Sequence, residues 1–337
     1  MMSFALFRLP YEQQHTLIRQ TLGEPLEMTS CVELTGKTGF VVAPFEISSD
    51  RCILLIRPDE VTHDIPWHSL EAIPQIVSPS VASDPRVDYH IDFANFHAHL
   101  QNDDFSKLVL SRNIFIPTDL PVSPLQLYQK ACETYPRMMI TLVFTPQSGM
   151  WLIATPEILL SGGGDEWQTI ALAGTMPFGE DIRWNDKNIQ EQRYVATYII
   201  EQLEQFTEDF KETGPRTIRA GHLAHLRSDF HFKLNTNKVI GELIHALHPT
   251  PAVCGLPKEE TFRFILQNEN HNRHYYSGFT GPLFVEDKTN LFVTLRCMEL
   301  FTNGYRLYAG SGILKDSQEE QEWQETEIKL DTMRRII

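Results

Sequence analysis

Positive charge is scarce in this chain. Its 337 residues hold 29 Lys and Arg against 44 Asp and Glu, a formal net charge of −15 at pH 7. Beyond the terminal Arg334-Arg335 there is no basic cluster, so the overall field would repel a polyanion such as nucleic acid. Long apolar runs are missing as well; none approaches the roughly 20 residues that a bilayer-spanning helix needs. The stretch from Met1 to Arg8 lacks the ordered basic, apolar and small-residue segments of a secretory signal. The five cysteines (Cys31, Cys52, Cys132, Cys254, Cys297) are dispersed and never form a C-x-x-C pair. These absences argue against a disulfide framework and lead us to expect a cytoplasmic protein with no membrane or nucleic-acid partner. A small anionic substrate is compatible with the charge, provided a few buried cations or a metal hold it. The position of each Lys and Arg is therefore informative.

With 42% hydrophobic residues the chain can bury a large core. Residues 1–100 hold short apolar runs, such as Gly39-Phe-Val-Val-Ala43, separated by Pro-rich stretches that include Ile73-Pro74 and Ser78-Pro79-Ser80. They read as strands and loops, with a helix over 91–101 and no nameable chemistry. The pattern then predicts a strand over 107–116, a helix over 124–134, and strands over 138–144 and 150–154. Apolar residues at helical spacing (Val195, Tyr198, Ile199, Leu203, Phe206) predict one long helix over 188–210. Helices near 239–247 and 257–267 and strands over 277–285, 291–298 and 306–309 lead to a final helix. Helices interspersed with hairpin-like strand pairs indicate an α+β domain rather than a doubly wound parallel sheet. Residues 1–100 are expected to be the motif-free part of the same domain as the chemistry-bearing region 101–337.

In the final helix Glu322, Glu325 and Lys329 are three and four residues apart, so they share a face. Such a face is ordinarily solvated and worth little. Here Tyr308-Ala-Gly-Ser-Gly312 precedes it, and we expect a glycine loop whose N–H groups meet an anion near the helix start. Upstream, Lys107-Leu-Val-Leu-Ser-Arg112 alternates so that Lys107, Val109 and Ser111 share one strand face, an odd place for a lysine. Thr155-Pro156-Glu157 sets a carboxylate between apolar stretches, and Ala171-Leu-Ala-Gly-Thr175 is a small-residue turn open to a ligand. Asn185 or Asp186 opens the long helix as its cap, with Glu191 about a turn in. Three H-x-x-H spacings (His222/His225, His245/His248, His271/His274) lack an intervening Glu and a nearby Cys, so zinc is not favoured.

Ten motifs in order, from Lys107 to the C-terminus, resemble the chorismate-utilising enzymes: isochorismate synthases, salicylate synthases, anthranilate synthase large subunits and aminodeoxychorismate synthases. They include those above together with His225-Leu-Arg227, His248-Pro-Thr-Pro-Ala-Val-Cys-Gly255, Tyr276-Ser-Gly-Phe-Thr-Gly281, Leu295-Arg-Cys297 and Glu322-Trp-Gln-Glu325. The resemblance implies a single large domain of the anthranilate synthase component I-like fold, with layered sheets flanked by helices. It implies Mg²⁺ bound by Glu191 and Glu325, holding the ring carboxylate of chorismate. Lys107 would be the base that activates water at C2, and Glu157 the acid that protonates the departing C4 hydroxyl. Gly174 and Thr175 would line the ring pocket, with His225 near the carboxylate and leaving group. Arg296, Gly310 and Lys329 would hold carboxylates, and Ala252 would touch the substrate through backbone. For this chemistry Lys107 must act as a neutral amine and Glu157 as a protonated acid, from opposite sides of the ring.

Within the family, Lys107 resembles the water-using branches, where the ammonia-using ones carry a non-basic residue. Ala173 stands where aminodeoxychorismate synthases carry a nucleophilic lysine. The expectation is thus an isochorismate synthase, most similar to the menaquinone type, working without a glutaminase subunit as a monomer or weak dimer. Salicylate synthase, which would go on to eliminate pyruvate, is the nearest alternative, and an aminating anthranilate synthase-like subunit a more distant one.

Overall fold

The run Phe4-Ala-Leu-Phe7 is apolar at every position because its strand, β1 (Ser3–Arg8), is covered on both faces. A computed structural model describes residues 2–65, 67, 84–120, 122–179 and 182–337, so the Pro-rich stretches around 73–74 and 78–80 lie outside the described residues. After β1 come β2 (Thr16–Gln20), β3 (Leu26–Met28), β4 (Gly39–Ala43), β5 (Ile53–Ile56) and β6 (Glu60–Thr62). The central strands are β7 (Lys107–Pro117), β8 (Met139–Thr145), β9 (Gly149–Thr155), β10 (Ile158–Gly163), β11 (Glu166–Pro177), β12 (Phe210–Ala220) and β13 (Leu223–Lys233). The last are β14 (Gly255–Leu256), β15 (Phe279–Leu283), β16 (Thr289–Val293), β17 (Arg296–Phe301) and β18 (Gly304–Ile313). The helices are α1 (Pro85–Gln101), α2 (Pro124–Thr134), α3 (Asp186–Leu203), α4 (Ile240–Leu247), α5 (Lys258–Asn268) and α6 (Glu319–Arg334).

Among the described residues the strands form two nine-stranded sheets, in the orders β14-β7-β18-β17-β9-β8-β1-β2-β6 and β12-β13-β11-β10-β16-β15-β4-β5-β3. Neighbouring strands are antiparallel. Alternation along each strand divides the core into layers. Ala5, Phe7, Val143, Trp151, Ile153 and Tyr308 of the first sheet meet Phe40, Val42, Leu54 and Ile56 of the second. The opposite faces take helices. Phe4, Leu6, Leu142 and Leu152 pack with Tyr128 of α2 and Leu330 and Met333 of α6. Val41, Ala171 and Phe230 pack with Val195 and Ile199 of α3 and Leu243 and Leu247 of α4. The result is an α+β architecture with two sheets face to face and helices on both outer sides. Residues of the first hundred contribute strands to both sheets.

Four expectations need correction. The first helix starts at Pro85, capped by Asp84 accepting from the Arg86 N–H; its leading turns expose Val87 and Ile91, so they carry no apolar stripe. The long helix stops at Leu203, and Phe206 packs on the core from the following turn, prolonging the apolar spacing past the helix end. The run over 291–298 is two strands, β16 and β17, in different sheets. Finally, Tyr308–Gly312 is not a loop. It lies inside β18, with Gly312 opposite Val109 and Gly310 opposite Ser111, and α6 begins only at Glu319.

Candidate active site

The chain passes between the two sheets at neighbouring points. β9 runs into β10 through Pro156-Glu157, and β16 runs into β17 through Thr294-Leu295. The two crossings are bonded to each other: Thr155 Oγ1 donates to the Val293 carbonyl at 2.6 Å, and the Val293 N–H donates to the Glu157 carbonyl at 2.9 Å. This corner puts Glu157 and Arg296, far apart in sequence, within reach of each other's charge.

A small cavity of about 40 Å³ opens beside the corner. Its wall contains Glu157, Gly174, Thr175, Glu191, His225, Ala252, Arg296, Gly310 and Lys329. Of the residues to which the family resemblance gives a role, Lys107 and Glu325 are not in the wall. Lys107 lies directly behind it, fully buried, with Nζ 3.0 Å from Glu191 Oε1. Glu325 is tied to the wall through Lys329, accepting from its Nζ at 2.6 Å. Leu172, Val109, Val253, Leu295 and Tyr276 complete the lining. A wider cleft of about 480 Å³ near His271 and Arg273 also has buried charges in its lining, Glu269 and Arg273, but these are already paired with each other.

Local sequence explains the placement. On β7 the alternation sends Leu108 and Leu110 to the layer formed with Phe96 and Phe264, which leaves Lys107 and Val109 for the other face. Asn185 caps α3, its side chain accepting from the Asn188 N–H at 2.9 Å. That start puts Glu191 and Gln192 on the buried side, where Gln192 Nε2 donates to Ser228 Oγ at 3.1 Å. Gly174 adopts φ +70, a left-handed conformation that bends β11 at the cavity.

Burial dominates the electrostatics. It pushes the Glu157 carboxyl up to about 7, against the pull of Arg296, Lys107 and Lys329. It pushes the His225 imidazole down to about 3, with Arg296 adding to the effect. His225 is therefore neutral. Its Nδ1 lies 2.8 Å from the Gly174 carbonyl, which can only accept, so Nδ1 carries the proton. Nε2, buried and unpartnered, is left as a bare acceptor. Burial also raises Glu191, but Lys107, Lys187 and Lys329 outweigh it and hold that carboxylate below its ordinary range.

Lys329 Nζ donates to the Gly310 carbonyl at 2.7 Å as well as to Glu325, tying α6 to β18. Two residues join this cluster. Lys187, a turn before Glu191, pairs with Glu322, whose second carboxylate oxygen is buried without a partner. Glu322 was expected on the Glu325–Lys329 face, whereas the sequence carried no expectation for Lys187. Carboxylates and ammonium groups thus alternate through the site. The H-x-x-H histidines take separate partners: His222 Nε2 meets the Ile328 carbonyl and His271 meets Ser111.

Residues 71–337 match the family described as chorismate binding enzyme. The chain belongs to this family. The match begins well before Lys107, where the sequence motifs start. Isochorismate synthase EntC of Escherichia coli (strain K12) is 32% identical over 242 residues, 68% of this chain and 62% of its own length. The chain thus spans less than two thirds of that relative. Isochorismate synthase MenF of the same strain is 33% identical over 198 residues, 56% of this chain and 45% of its own length. In fold, the 2,3-dihydroxybenzoate-specific isochorismate synthase DhbC from Bacillus anthracis superposes with a TM-score of 0.83 at 23% identity, covering 99% of this chain and 95% of that one.

Proposed function

We propose that this chorismate binding enzyme is an isochorismate synthase that interconverts chorismate and isochorismate with Mg²⁺. The observation that carries the reading is the pairing, at one buried cavity, of a lysine with no exposed surface and a carboxyl raised to about 7. Lys107, in its neutral amine form rather than as the ammonium that pairs with Glu191, takes a proton from water as the water oxygen bonds to C2. The ring double bonds shift, the C4–O bond breaks, and Glu157 protonates the departing oxygen. Arg296 and Lys329 meet the carboxylates, each a charge-assisted contact in a desolvated site. His225, neutral with Nε2 bare, accepts a hydrogen bond from a substrate hydroxyl. The apolar walls keep bulk water from the ring.

The donor set suits a hard cation. Glu191 and Glu325 offer carboxylate oxygens from two helices, and Glu322, on the same helix as Glu325, keeps one buried oxygen without a hydrogen-bond partner. Among the described residues no three such groups lie together to hold a metal ion by themselves, so water and substrate oxygens would have to complete the shell. Bound there, Mg²⁺ would supply a template and charge sink for the ring carboxylate.

Purified protein given chorismate and Mg²⁺ without ammonium, with products separated by chromatography, tests this reading. Isochorismate is the expected product. Salicylate with equimolar pyruvate would move the assignment to salicylate synthase, and anthranilate on adding ammonium would overturn it.

A further inference from the structure

β14 and β7 run together only briefly. Gly255 opposes Leu108, and the Val109 N–H donates to the Cys254 carbonyl at 2.8 Å. There the ladder breaks, because the Cys254 N–H turns back to the Thr250 carbonyl at 3.0 Å. The backbones part, and Val109 and Val253 both become cavity wall. A buried carbonyl without a donor is costly. Both carbonyls are taken by one side chain: Arg273 donates to Val253 O at 2.7 Å through Nη1 and to Val109 O at 2.8 Å through Nη2.

Glu269 holds that guanidinium in a fork, accepting from Nε at 2.6 Å and Nη2 at 2.8 Å. Its Oε1 also accepts from the Ser111 N–H at 2.7 Å and Ser111 Oγ at 2.9 Å. The two side chains are 3% and 2% exposed, and the Phe45 ring faces the guanidinium at 4.3 Å. Arg273 and Glu269 border the outer cleft and not the inner cavity, so neither touches the substrate space. We propose that the Glu269–Arg273 pair is a positioning device that sets the separation of the Val109 and Val253 walls, and with it the placement of the ring relative to Lys107. The proposal rests on the reading of this cavity as the chorismate site.

A point charge on a flexible stem cannot replace the fork, so Arg273→Lys is not conservative here. Misplacing a substrate by an ångström can cost about 100-fold in rate. Arg273→Ala should lower turnover by about that factor, with KM moving less than about threefold because the carboxylate anchors remain. Added guanidinium chloride at millimolar concentration should restore part of the turnover, where sodium chloride does not. Amide exchange at Val109 and Cys254 should accelerate while that in β8 and β9 stays slow. Leu55→Ala, in the distant core of the second sheet, serves as a control of comparable thermal destabilisation, and Arg273→Lys as the second variant should the alanine not fold. Unchanged turnover in a folded Arg273 variant would overturn the proposal. So would a loss that Leu55→Ala reproduces and guanidinium does not relieve. Wild-type protein that leaves chorismate untouched would overturn the functional reading alone; the exchange measurement, which needs no substrate, would still decide whether the pair holds the walls.

Discussion

Lys107 on β7 and Glu191 on α3 meet at 3.0 Å beneath Gly312, and they can do so only because Gly312 has no side chain. A Cβ there would lie 2.1 Å from Glu191 Oε1 and 3.1 Å from Lys107 Cε. A buried amine without a polar partner is costly, so the glycine, the carboxylate and the lysine form one structural unit.

Gly312→Ala is therefore expected to fold with a loss of about 1–3 kcal/mol, the usual scale of overpacking. Its turnover should drop about 10–100-fold as Glu191 is pushed aside. Thermal unfolding with steady-state kinetics checks both, and wild-type turnover in Gly312→Ala would show that the contact is dispensable.

The raised Glu157 carboxyl gives a pH dependence with a definite sign. The protonated form is the working acid, so kcat/KM should fall about tenfold per pH unit above about 7. The folded carboxyl binds its proton more tightly than the unfolded one at 4.5, so stability should also decline as pH rises from there to about 7. Glu157→Gln should lower kcat by about 10²–10⁴-fold and flatten both trends. A pH–rate profile unchanged by that substitution would remove Glu157 from the acid role.

Lys107→Ala and Arg296→Ala should separate chemistry from binding. The first should cost about 10²–10⁴-fold in kcat with a small change in KM. The second should chiefly raise KM, through lost charge-assisted hydrogen bonds to a carboxylate. Circular dichroism confirms folding. Wild-type turnover in folded Lys107→Ala would make it an ordinary core lysine.

Chelation should abolish activity and Mg²⁺ restore it. Glu325→Gln should be folded yet nearly inactive, and calorimetric titration should show weakened Mg²⁺ binding in the presence of substrate. Full activity in excess chelator would contradict the proposed metal role.

Most of the residues at this cavity were named by the family resemblance, and simple periods accounted for only part of their placement. The two-residue repeat of β7 singled out Lys107, and the four-residue repeat of α6 joined Glu325 to Lys329. What local pattern cannot carry is where the chain changes sheet. Leu291 to Met298 is buried throughout, with Thr294 and Arg296 as its polar residues, and no turn residue marks the crossing at Thr294-Leu295 that delivers Arg296. Gly310 and Gly312 looked like loop residues. They are strand residues whose glycines make room for Tyr276 and Glu191. Arg273 pairs with Glu269 four residues before it, but what the pair acts on are the backbone carbonyls of Val109 and Val253, and backbone carries no residue signal.

The origin of the new oxygen tests the central claim most directly. Chorismate is incubated with the enzyme and Mg²⁺ in ¹⁸O-labelled water, and the product is analysed by mass spectrometry. Water activated by Lys107 predicts isochorismate with one ¹⁸O, located at C2. Isochorismate formed without label would mean that the hydroxyl migrates within the substrate, and would contradict the account.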